Sequence, residues 1–83
     1  MTIRVIKTNE IEAEKILTNK VRFVFRNEKD SFKAGDIIEF LVVKNKRPVT
    51  SRLDSKKYVV TAVLGKYDAP VMDGFQLIGF REL

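Results

Sequence analysis

From residue 21 onward, this chain sets its apolar residues in short runs separated by turn residues, alternating over Val21–Arg26 and almost continuous over Ile37–Val43. Short runs of this kind, rich in β-branched and aromatic residues, predict a chain that folds mainly as strands. Val21, Phe23 and Phe25 alternate with Arg22, Val24 and Arg26, which predicts a strand whose phenylalanines share one apolar face. Ile37 to Val43 is almost continuously apolar, broken only by Glu39, and reads as a central strand. Tyr58 to Leu64 and Phe75 to Phe80 supply two more strands, and Ile3 to Ile6 a short β-prone start. Between these runs, Phe32-Lys33-Ala34-Gly35-Asp36 puts a glycine at a bend. Pro48 and its Ser and Thr neighbours make part of residues 44–57 a loop, and Gly65 to Gly74, with Asp68, Pro70 and Asp73, forms a connection.

Only one segment departs from this pattern. Asn9 can cap a helix, and Glu10, Glu12 and Glu14 follow where negative charge suits a helix N-terminus. Asn9 and Glu12 have the spacing of a capping box, Ala13, Ile16 and Leu17 give a modest apolar face, and Asn19 offers a left-handed stop. The expected fold is therefore mostly β (α+β): a small curved sheet or partly open β-barrel of about five strands, with one main N-terminal helix over residues 10–18. All six phenylalanines are expected in the core, with Phe23, Phe25 and Phe40 inside the sheet.

Eighty-three residues make one domain, 1–83, with a thin core. The chain has neither cysteine nor histidine. Disulfides, Cys/His zinc sites and imidazole-based catalysis are thereby excluded. No carboxylate cluster suggests another metal, and no cofactor is implied. No signal-peptide core or membrane-spanning apolar run is visible, so a cytoplasmic location without membrane association is expected.

The formal net charge is +5. Residues 44–57 hold Lys44, Lys46, Arg47, Arg52, Lys56 and Lys57 against the single acid Asp54, while the rest of the chain has ten basic and ten acidic residues. All of the excess charge thus lies in one stretch. Such a stretch is either a solvated loop or an electrostatic footprint for nucleic acid, and its concentration here favours the latter. It contains no aromatic residue on which a base could stack.

Several motifs come in a telling order: a helix entering the strand that ends at Arg26, the Phe32-Lys33-Ala34-Gly35-Asp36 turn, the strand Ile37-Ile38-Glu39-Phe40, then Tyr58 to Leu64 and Gly74-Phe75-Gln76-Leu77-Ile78-Gly79-Phe80. Over nearly the whole chain this resembles the ASCH (activating signal cointegrator homology) domain of the PUA-like superfamily. The resemblance implies a PUA-like barrel that binds RNA or a nucleotide-like ligand in a cleft containing Arg26. It also implies, as a second reading, a small amidohydrolase acting on an acylated nucleoside. The family's cleft segment, Gly-x-Lys-Thr-x-(Glu or Thr)-x-Arg, anchored on Arg26, places its glycine on Asn19, its lysine on Val21, its threonine on Arg22 and its acid on Val24. Valines neither activate water nor protonate a leaving amine, so the enzyme reading falls behind binding. It would have to rest on Lys20, one position from the family lysine, and on an acid such as Glu39.

The expected ligand or nucleic-acid contacts are thus Lys20, Arg22, Arg26, Lys44, Lys46, Arg47, Arg52, Lys56 and Lys57. A planar guanidinium suits phosphates and base edges, although Arg26 could equally pair with Glu28, Asp30 or Glu39. Tyr58 and Tyr67 are expected to pack at the edge of the core. A third reading is a protein-interaction module in a regulatory complex.

Overall fold

The computed structural model describes residues 3–65, 68 and 74–83, with Glu28 described for its backbone only. Tyr67, Pro70 and Asp73, and with them most of the expected connection from Gly65 to Gly74, lie outside the described residues.

Six strands and one helix follow in the order β1 (Ile3–Thr8), α1 (Glu10–Leu17), β2 (Phe23–Asn27), β3 (Ile37–Lys44), β4 (Arg47–Pro48), β5 (Tyr58–Leu64) and β6 (Phe75–Glu82). Short 3-10 turns sit at Glu28–Asp30 and Arg52–Ser55. The strands form one mixed sheet in the order β1-β3-β5-β6-β2, with β4 added to β3. β1 and β3 run parallel, and every other pairing is antiparallel. Among the described residues no ladder joins β1 to β2, so the sheet is open and these two strands are its edges. The mostly β, α+β expectation holds, with β4 added to the five strands.

Local chemistry explains the helix. Asn9 is its N-cap and accepts the backbone N–H of Glu12 at 2.7 Å. Asn19, at φ 59°, is the left-handed residue that ends it, and Lys20 and Val21 both return their N–H groups to the Lys15 carbonyl. Gly35, at φ 96°, turns the chain into β3 while its N–H bonds the Val60 carbonyl, tying the turn to β5.

The core lies between the inner face of the sheet and α1. Ile6, Val24, Ile38, Phe40, Val42, Val60, Ile78 and Phe80 meet Ala13 and Ile16 of the helix, and Leu53 of the second 3-10 turn closes the side. Ser51 and Asp54 form a capping box around that turn and so fix the direction in which Leu53 enters. The rings of Phe40, Tyr58 and Phe80 sit with all three centroid distances at 5.3 Å, two of the contacts edge-on.

One expectation is overturned. Phe23 is 50% exposed, Phe25 39% and Phe75 43%, while Val24 is only 2% exposed. The alternation along β2 is real, but its faces are the reverse of those expected. The cause is the partner strand: β2 pairs Val24 with Ile78, a completely buried residue of β6. Residues cross-strand on one face must share its environment, so Val24 goes inward and Phe23 and Phe25 go outward. Of the six phenylalanines, Phe32, Phe40 and Phe80 form core.

Tyr58, expected at the edge of the core, is buried within it against Phe40 and Phe80. Burial pushes its phenol above the ordinary value, the Glu82 carboxylate adds to the rise, and Arg22 opposes it. Below the unfolded-state value of about 10 the phenol is neutral in both states. Above it the unfolded chain releases its proton first, so stability is lost as pH climbs toward the raised folded value. Urea melts between pH 9 and 11 are expected to show this decline, and Tyr58→Phe to flatten it.

Candidate functional site

The basic stretch is not one open loop. β3 runs on to Lys44, turns within Asn45-Lys46, and returns as β4, pairing Lys44 with Arg47 and Val43 with Pro48. Both turn residues have positive φ, 51° at Asn45 and 65° at Lys46, the geometry of a type I′ hairpin. Asparagine tolerates this conformation, whereas lysine holds it against a steric penalty. The tight turn leaves Lys46 and Arg47 exposed at the tip.

Acids from the neutral remainder of the chain reach the other four cations of the stretch. Lys44 meets Glu10 at 3.7 Å, Arg52 meets Glu14 at 3.7 Å, Lys56 meets Glu82 at 3.0 Å and Lys57 meets Glu39 at 3.7 Å. These are surface pairs, worth at most about 1 kcal/mol each. Even so, they dilute the local field. Among the described residues, Lys46 and Arg47 alone in the stretch have no acid within 4.0 Å.

Arg26 is placed quite differently. Its guanidinium donates to the Lys7 carbonyl of β1 at 2.9 Å and to the Phe25 carbonyl at 2.5 Å, and it meets Glu12 of α1 at 3.5 Å. Glu12 also accepts the hydroxyl proton of Thr8, a buried polar residue. The carboxylate that could have completed the helix capping box is instead turned toward Thr8 and Arg26. Of the acids expected as Arg26 partners, neither Asp30 nor Glu39 fills that role among the described contacts, and the Glu28 side chain lies outside the described residues. The result is a polar clasp across the gap between the two edge strands. Opposite Arg26 on the inner face, the buried Gln76 Oε1 has no hydrogen-bond partner among the described residues.

Helix α1 separates the clasp from the hairpin. Glu10 and Glu14, four residues apart, lie on the side facing Lys44 and Arg52, while Glu12, two positions round the helix from either, faces Arg26. The expected combination of Arg26 with a neighbouring basic segment is therefore split between two sides of the helix.

The remaining candidates are scattered. Lys20 is exposed beyond the helix end, and Arg22 is exposed before β2, its carbonyl accepting the Phe80 N–H. Glu39 lies on β3 in its pair with Lys57, and neither Lys20 nor Glu39 lines the clefts of 350, 160 and 290 Å³ found among the described residues. None of these three clefts therefore brings together the two groups that would have to meet one substrate. No group of three or more carboxylates capable of holding a metal ion occurs among the described residues, and no described helix is long and apolar enough to cross a membrane.

Sequence reasoning missed the outward phenylalanines of β2 and β6. In β6, Phe75, Leu77, Gly79 and Arg81 alternate with Gln76, Ile78, Phe80 and Glu82. Each set mixes apolar with polar residues, so no decisive signal was present in the sequence, and the pairing of β2 with β6 carries Phe23 and Phe25 to the outward face with Gly79 and Leu77. No protein-family model matches the chain, and no curated protein matches it significantly.

Proposed function

We propose that this domain binds RNA or a nucleotide-like ligand, meeting phosphate through the β3–β4 hairpin, and that it is a cytoplasmic domain of the ASCH, PUA-like type. The observation that carries the reading is the hairpin tip. A turn held at positive φ presents Lys46 and Arg47 to solvent, and no acid within ion-pair distance competes for them among the described residues. Cations in that position displace counterions from a phosphate backbone, which is the main electrostatic contribution to nucleic-acid affinity. The net charge of +5 works in the same direction at long range. The helix leading into β2 and the Gly35-Asp36 turn before β3 are the features of the ASCH resemblance that support this reading.

The test is affinity for a short RNA measured against log salt. In the double variant Lys46→Glu, Arg47→Glu, affinity is expected to fall for every RNA, single-stranded or duplex. The slope should flatten by about 1.4, since each single-strand phosphate contact contributes about 0.7. A wild-type protein that binds no RNA tighter than millimolar at low salt defeats the reading. Binding whose slope the double variant leaves unchanged removes the hairpin from it.

A further inference from the structure

We propose that the outward face of β2 and β6 is a stacking platform for single-stranded nucleic acid, an inference that rests on the nucleic-acid reading above. Phe23, Phe25 and Phe75 are each between 39% and 50% exposed on this face. Three half-exposed phenylalanines are unusual for so small a domain, because each leaves apolar area in water that a core position would have removed. Their arrangement is regular. Phe23 and Phe25 lie two positions apart along β2, which spaces them by about 6.6–6.8 Å. Phe25 stands opposite Leu77, and Phe75 follows at the next outward position of β6, making a continuous apolar strip across the two strands.

Gly79 leaves room beside the first ring. It pairs with Phe23, so no β6 side chain stands directly opposite that phenyl. A Cβ at Gly79 would come within 3.3 Å of Thr61 Oγ1, so the close approach of β5 also disfavours a side chain there. Phe23 and Phe25 additionally border the 350 Å³ cleft against α1, whose other wall includes Ile11, Glu12 and Lys15. A base seated against either ring would have polar helix side chains at its edge.

Charge selects the occupant. The outward positions of the two strands are Phe23, Phe25 and Asn27 on β2, and Phe75, Leu77, Gly79 and Arg81 on β6. Their one ionised side chain, Arg81, is positive. The strip is edged by Arg81 and Lys15, and the nearest cleft acid, Glu12, is already paired with Arg26, so the face fits a polyanion carrying flat apolar groups. Single-stranded nucleic acid is such a ligand, and a duplex is not, because its bases already stack on each other. The strip also supplies the aromatic surface absent from the basic stretch.

The probe is a labelled oligouridylate, compared with an RNA duplex of equal length and followed by anisotropy at two salt concentrations. Phe23→Ala and Phe75→Ala should each weaken oligouridylate about 5- to 150-fold, the range for loss of one base–aromatic stack. Both should leave duplex affinity and the salt slope unchanged. Phe23→Trp should retain binding, and its fluorescence should be quenched on addition of oligouridylate. Oligouridylate binding that depends on Lys46 and Arg47 but ignores both phenylalanine substitutions overturns the platform and leaves the nucleic-acid reading standing. Absence of binding to either RNA overturns both. Self-association that both alanine variants abolish, with RNA affinity untouched, assigns the strip to a protein contact and overturns the platform.

Discussion

Phe40→Ala is expected to bring the domain to the edge of unfolding. Phe40 is 3% exposed at the centre of β3, and its ring meets both Tyr58 and Phe80 at 5.3 Å. Truncating a buried phenylalanine removes its transfer free energy and leaves a cavity, together costing about 3–5 kcal/mol. The total stability of a domain of 83 residues is about 4–12 kcal/mol, so one substitution can consume most of it. The two remaining rings come from different strands, β5 and β6, whose positions are held by backbone ladders, so neither can move far to fill the space. The matched substitution Phe23→Ala acts at a 50% exposed position and is expected to cost about 1 kcal/mol or less. Urea denaturation of both variants makes the comparison. Equal losses would mean that the inner and outward faces of the sheet are wrongly distinguished.

Arg26→Met is expected to destabilise the domain by about 1.5–3 kcal/mol, the range for hydrogen bonds to a charged group. Methionine keeps much of the aliphatic stem but abandons the Lys7 and Phe25 carbonyls and leaves Glu12 without its cation. Arg26→Lys should recover little of the loss. A single ammonium cannot reproduce the fork that holds two carbonyls and a carboxylate together. Amide exchange gives a second readout: opening of β1, the strand whose Lys7 carbonyl the guanidinium holds, should accelerate more than opening of the β5–β6 ladder. A variant as stable as the parent, and with altered RNA affinity, would show that Arg26 serves a ligand and not the clasp.

The ion pairs around the basic stretch change how its charge should be regarded. Counting residues 44–57 alone suggests a block of unopposed cations. Folding brings Glu10, Glu14, Glu39 and Glu82 from four distant positions to within 4.0 Å of Lys44, Arg52, Lys57 and Lys56. The effective footprint contracts toward the hairpin tip. Substitutions at Lys46 and Arg47 are therefore more informative than those at the paired cations, whose acids would be left behind as new negative charge.

Much of the architecture was legible because it depends on local chemistry. The short β-branched and aromatic runs of Ile37–Lys44, Tyr58–Leu64 and Phe75–Glu82 favour strands wherever they end up, and Asn9 and Asn19 bound the helix through hydrogen bonds within a few residues of themselves. The absence of histidine and cysteine likewise excluded whole classes of chemistry without reference to a fold. Facing and pairing are of another kind. Alternation divides Phe23 and Phe25 from Val24, but both sets are apolar, and only the register with Ile78 on β6 decides which enters the core. In the same way, the sequence marked Arg26 as a side chain able to hold a planar partner, while the approach of β1 and α1 determined that its partners are Lys7, Phe25 and Glu12. Propensity acts between neighbours in the chain, whereas burial and electrostatic pairing act between neighbours in space, and in a sheet ordered β1-β3-β5-β6-β2 those two sets of neighbours are largely different.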